Sequence, residues 1–152
     1  MLREQLETEL KQAMKARDDK VRLSTLRLIH AAVKDRDIAA RGEDRCEGVT
    51  DEEILGILSK MVRQREESSS AYDAACRPEL AEQERAEIEV IRTFMPRQLS
   101  EEETSDAISE VVSEISAAGL KDMGKVMAAL KQRYNGSMDF SKANAIVKKA
   151  LQ

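Results

Sequence analysis

The chain has 152 residues and a mass of 17.0 kDa, enough for one ordinary domain or two small ones. Six Gly, two Pro, no Trp, two Phe and two Tyr argue against a turn-rich β fold, a collagen-like chain and an aromatic platform for stacking bases. Charged residues make up 36% and hydrophobic ones 41%, a composition suited to helices, and the net charge is −4.

Apolar residues recur with a helical period along nearly the whole chain, so the expected class is all-α. Leu2, Leu6, Leu10, Ala13 and Met14 form a first stripe. Asp18 or Asp19 caps a second helix that buries Val21, Leu23, Leu26, Ile29 and Val33 and ends near Ala40. Residues 41–49 have no apolar period and are expected to form an exposed, mobile loop. Thr50 and Glu53 then form a capping box, with Val49 placed to staple onto Ile54, and a third helix runs toward Tyr72. Pro78 opens a fourth helix carrying Leu80, Ile88, Ile91 and Met95, and Pro96 stops it.

Two domains are expected, a helical one over 1–95 and a small three-helix one over 96–152. In the second, Ser100 and Glu103 form another capping box, followed by Ile108, Val111, Val112 and Ile115, with Gly119 as the stop. Asp122 is read as the cap of a helix holding Val126 and Leu130. Asn135-Gly136 is a turn, and Asp139 or Ser141 starts the last helix.

Charge is uneven. Residues 1–41 hold ten basic and seven acidic groups, residues 42–95 seven and fourteen, and residues 121–152 seven and two. The modest total conceals a basic tail of net +5, suited to phosphate. No HExxH, GxSxG or Walker glycine loop occurs, and one histidine with two scattered cysteines gives no zinc pattern. His30 reads as a structural histidine beside a packing surface, and Cys46 and Cys76 as free thiols. No catalytic residue, metal or cofactor is assigned. The charged opening MLREQLETEL and the lack of a long apolar run give the expectation of a cytoplasmic protein without a membrane span.

Two stretches stand out. Lys60, Arg63 and Arg65 make a basic patch, either a solvated ion-paired helix face or a contact surface. Gly124, inside an otherwise good helix beside Lys125, costs about 1 kcal/mol against Ala. Such a glycine points either to close packing of another backbone or to ligand contact.

The string from Lys60 to Glu103 resembles the signature of the YqeY family. It has a basic K-x-x-x-Q-R helix, a Tyr, an Arg-x-x-Leu-Ala, a Glu-rich helix and an aromatic-hydrophobic-Pro-x-Gln-Leu. The matching residues are Lys60, Gln64, Arg65, Tyr72, Arg77, Leu80, Ala81, Glu84, Glu87, Phe94, Pro96, Gln98 and Leu99. Leu26-Arg27-Leu28 and Asp122-Met123-Gly124-Lys125-Val126-Met127 fit the same pattern, so the resemblance covers essentially the whole chain.

The resemblance implies an all-helical protein similar to the tail of the B subunit of the glutamine-dependent aspartyl/glutamyl-tRNA amidotransferase (GatB/YqeY). That tail helps hold tRNA. The family description implies carbon–nitrogen ligase activity with glutamine as amido-nitrogen donor. Carboxylate activation needs a phosphate cradle and magnesium ligands, and glutamine hydrolysis needs an activated nucleophile. Neither set is assembled in this sequence. The expected function is therefore a non-catalytic tRNA-binding or amidotransferase-associated module. Gly124, Lys125, Met127, Lys131, Lys148 and Lys149 are the expected tRNA contacts. Lys60, Arg65, Tyr72 and Arg77 are signature residues with a structural or contact role, Tyr72 and Arg77 locking a turn between helices. Cys76 reads as a packing residue. The alternative is an accessory module that binds a protein, through its acidic centre, and no RNA; an enzyme in its own right ranks third.

Overall fold

Seven α-helices and one short 3₁₀ turn make up the ordered elements, without strands, in a computed structural model that describes residues 1–152. They fall into two compact units, Met1–Met95 and Pro96–Gln152.

The first unit holds α1 (Leu2–Ala16), α2 (Lys20–Gly42), α3 (Asp51–Ala74) and α4 (Pro78–Arg92). Asp19 is the N-cap of α2, its carboxylate accepting from the Arg22 N–H at 2.9 Å. Thr50 and Glu53 close the capping box of α3, and Val49 and Ile54 are both buried where the staple requires them. The inner faces of α2, α3 and α4 supply Leu26, Ile29, Ile54, Leu58 and Ile91 to one core. The stripe of α1 contributes less than its periodicity predicts. Leu6 alone on that helix is fully buried, and Met14 stands in solvent.

The segment after α2 differs most from expectation. It is pinned in place. Arg3 grips Asp37 with two bonds of 2.8 and 2.9 Å and donates to the Val49 carbonyl. Asp37 in turn accepts from the Val49 N–H at 2.9 Å, and Arg45 grips Glu53. Hydrogen bonding to Arg3 holds the Asp37 carboxyl at about 2, and Arg45 does the same for Glu53, to about 2. The segment is exposed as expected, but its ends are tied, by Arg45 to Glu53 and by the Val49 backbone to Arg3 and Asp37, partners that lie outside 41–49.

Helix ends recur in one form. Arg17, Asp44, Cys76 and Ser116 have left-handed backbones with φ between 55° and 61°, and none is glycine. At the end of α3 the Arg77 N–H reaches back to the Tyr72 carbonyl at 2.8 Å and the Cys76 N–H to the Asp73 carbonyl, the pairing of a Schellman motif. Cys76 is therefore an exposed turn residue, not a packing residue. A Cβ in this conformation costs about 1 kcal/mol. Cys76→Gly is accordingly expected to raise the melting temperature of the first unit by roughly 4–8 °C. An unchanged or lowered melting temperature by calorimetry would show that the turn carries no such strain.

The second unit comprises α5 (Glu101–Ile115), the 3₁₀ turn Leu120–Asp122, α6 (Met123–Tyr134) and α7 (Phe140–Leu151). The Ser100–Glu103 capping box starts α5. Ser116 ends it, with the Ala117 N–H on the Val112 carbonyl at 3.1 Å. Gly119 is extended and is not the stop. Asp122 does not cap α6 with its side chain; its carboxylate accepts from the Ala118 N–H. Asp139 caps α7. Ile108, Val111, Val126, Leu130, Met138 and Val147 form the core. The Gln98-Leu99 pair of the signature stitches the start of this unit to its turn. The Leu99 N–H donates to the Ser137 carbonyl at 2.8 Å and the Gln98 amide donates to the Gly136 carbonyl.

Candidate functional site

The six expected contact residues all lie on α6 and α7. Val126 and Leu130 turn one side of α6 into the core, and Ala143, Val147 and Leu151 do so for α7. Gly124, Met127 and Lys131 share the neighbouring side of α6 at spacings of three and four residues. Ser141, Asn144 and Lys148 share a side of α7 in the same way. The two sides meet at a shallow depression of about 350 Å³ lined by Met127, Lys131, Phe140, Ser141 and Asn144. Gly124 extends it by one turn along α6, and Lys148 by one turn along α7. Lys125 and Lys149 sit one residue further round their helices, at the flanks.

In this unit the two arginines are paired and most lysines, Lys121 and Lys142 included, are not. Arg97 is held by Glu103 and Arg133 by Glu114. Lys125 has a loose contact with Asp122 at 3.9 Å and is 75% exposed. Lys131, Lys148 and Lys149 are exposed and no carboxylate pairs with them. A Cβ built on Gly124 meets nothing within 4 Å. Close packing of another backbone within the second unit is thereby removed as the reason for this glycine. Gly124 is also not inside the helix, as its sequence context suggested, but the second residue of α6, directly after the 3₁₀ turn, so it leaves a bare first turn beside exposed lysines.

The signature residues of the first unit have a different surrounding. Arg65 is half-buried between α3 and α4, its Nε 2.8 Å from Glu87 and one Nη donating to the Met61 carbonyl. Glu84 lies beside this pair, and burial pushes its carboxyl up. Ala81 and Phe94 are buried on the same hairpin, and the Arg22 guanidinium sits 6.0 Å from the Phe94 ring centroid. Tyr72 and Arg77 do lock the turn, through their backbones; the Arg77 side chain holds Glu79 on the surface. Lys60 is exposed, and Arg63 pairs with Glu67 one turn on, as a solvated helix face requires. His30 is exposed on α2 at the rim of a groove against α1. No group of three or more His, Cys, Asp or Glu side chains converges to hold a metal ion.

Sequence reasoning missed Phe140, Ser141 and Asn144. Stepping back from Lys148 by four and then three residues reaches Asn144 and Ser141, a usable signal.

The profile of the YqeY family, described as Yqey-like protein, matches residues 3–151. The chain belongs to the YqeY family. Its similarity extends to curated yeast proteins, each called "Altered inheritance of mitochondria protein 41, mitochondrial". That of Lachancea thermotolerans is 31% identical over 126 residues, covering 79% of this chain and 65% of its own length. That of Vanderwaltozyma polyspora is 34% identical over 90 residues, 59% of this chain and 46% of its own length. That of Clavispora lusitaniae is 30% identical over 114 residues, 74% of this chain and 63% of its own length. The YqeY-family chain thus spans about half to two thirds of the relatives it matches. These names overturn the expectation of a cytoplasmic protein, since the relatives are mitochondrial; a charged helical opening was a poor guide to compartment. No helix is long and apolar enough to cross a membrane.

Proposed function

We propose that this YqeY-family chain is a binding module that holds RNA, tRNA first among candidates, through the α6–α7 face. One observation carries the reading: Lys131 lines a shallow depression between α6 and α7, and further exposed lysines on the same two helices stand near it, beside a glycine whose missing side chain faces open space. Lys131 and Lys148 meet backbone phosphates, Lys125 and Lys149 add flanking charge, and Gly124 lets the ribose-phosphate chain approach the helix. Association with a tRNA amidotransferase follows from the likeness to its B-subunit tail. The role is holding, with chemistry supplied elsewhere. Protein docking through the acidic 42–95 stretch is less well supported, because many acids there are already engaged by arginines, among them Glu53, Glu66, Asp73 and Glu87.

Fluorescence anisotropy with bulk tRNA across about 50–300 mM salt tests this, each phosphate contact adding a slope of roughly 0.7–0.9 in log affinity against log salt. Changing Lys125, Lys131, Lys148 and Lys149 together to Ala should lower affinity at least about tenfold and reduce the slope by several units. Gly124→Ala should weaken binding while stabilising α6 by well under about 1 kcal/mol, since residue 124 lies in its first turn and not its interior. Unchanged affinity in both variants would remove this face from RNA binding.

A further inference from the structure

The outward face of α2 has no counterpart in this role. Arg27, Ala31, Lys34, Ile38 and Arg41 follow one another at spacings of four and three residues, a heptad seam turned away from Leu26, Ile29, Val33 and Ala40 in the core. Its three cations recur every seven residues, roughly 10 Å apart along the helix. None is in an ion pair; Arg41 adds only a through-space pull on Asp37, which Arg3 already holds. Most other arginines of this unit are taken up by carboxylates, Arg22 by Glu9 and Arg92 by Glu66 among them, with Arg17 and Arg36 the exceptions. Between the cations stands Ile38, 58% exposed, more than any large apolar side chain except Met1. Lys34, Ile38 and Arg41 also line a groove of about 230 Å³ between α1 and α2, with Leu6 and Val33 in its lining and the acids Glu7 and Asp37 on its walls.

We propose that this seam docks an acidic amphipathic helix of a protein partner. The charge complement is a carboxylate every seven residues facing Arg27, Lys34 and Arg41. An apolar side chain at each intervening position would cover Ile38 and Ala31. A phosphate backbone would answer the cations and leave Ile38 in water. A helix answers both. The surface is independent of the α6–α7 face and does not rest on the RNA reading.

The probe is a synthetic 21-residue helical peptide with Glu and Leu alternating at the two seam positions of each heptad. The controls are its scrambled sequence and a Lys-for-Glu version. Titrated into the full-length chain at about 50 mM salt, the acidic peptide should bind with micromolar affinity and shift amide resonances of residues 27–41. The combined change Arg27→Glu, Lys34→Glu and Arg41→Glu should lower its affinity by about tenfold or more and favour the Lys peptide instead. Ile38→Ser alone should cost about tenfold. All four side chains are exposed, and unchanged melting curves would certify folding. Absence of binding, or shifts mapping away from α2, overturns the proposal. So does an equal loss of tRNA affinity in the charge-reversed chain, which would make the seam a nucleic-acid contact. So too does a dimer of the chain alone, in sedimentation, that the reversal dissolves, which would make the occupant a second copy.

Discussion

Arg65→Ala is expected to destabilise the first unit by about 3–5 kcal/mol. The guanidinium and the Glu87 carboxylate are each only 13% exposed, so water cannot replace the lost partner. Removal leaves Glu87 facing Glu84, whose carboxyl burial already pushes up, with the Glu87 charge adding to it and Arg65 opposing. In the variant a carboxyl raised in the folded state would penalise folding above its ordinary range. The deficit should therefore shrink as pH is lowered and Glu84 takes up a proton. Denaturant titrations at several pH values would read this. Replacing both partners, Arg65→Met with Glu87→Leu, should recover most of the loss, because two matched apolar groups need no compensation. A loss below about 1 kcal/mol in Arg65→Ala would class the pair with ordinary surface bridges.

Gly48→Ala should cost about 2–4 kcal/mol. Gly48 has φ +83°, and a Cβ there would stand 2.6 Å from Asp37 Oδ1 and 3.3 Å from an Arg3 guanidinium nitrogen. The Asp37 carboxylate cannot swing aside cheaply, since Arg3 and the Val49 N–H fix both its oxygens. An acid limb gives a second readout. Asp37 is held at about 2, below its unfolded range, so its contribution is complete above about pH 4 and is lost as pH falls toward 2. Gly48→Ala should flatten that limb. In an Asp37→Ala background the same glycine change should cost only its backbone strain, a non-additivity that a double-mutant cycle measures. Full additivity would mean that the clash is relieved elsewhere.

Local chemistry was legible from the residues alone. The Thr50–Glu53 and Ser100–Glu103 boxes, the Val49 staple, the Asp139 cap and Pro78 at its helix start depend on neighbours within a few positions. The all-α class follows from their sum. What stayed hidden depends on distant partners. The 41–49 loop looked mobile because Arg3 lies more than thirty residues before Asp37 in the chain. Gly119 looked like a stop because glycine is the usual left-handed residue, whereas Ser116 fills that role. The signature residues were open to a structural or a contact role, and those that pack between α3 and α4, Arg65, Ala81, Glu84 and Glu87 among them, do so through partners some twenty residues apart in the chain. The α6–α7 cations were visible as a basic tail. Which of them lack an acidic partner was not, since the pairing of Arg133 runs to Glu114 on another helix.

The left-handed helix ends have an evolutionary consequence. At positions 17, 44, 76 and 116 the turn is fixed by backbone N–H groups reaching back to carbonyls of the preceding helix, while the side chains differ in size, charge and chemistry. Apart from the cost of about 1 kcal/mol that the positive φ places on any residue with a Cβ, that construction does not read the side chain. Mutation among non-glycine residues can therefore drift through these sites without moving the helix boundaries, and an arginine, an aspartate, a cysteine and a serine already sample that latitude within a single chain.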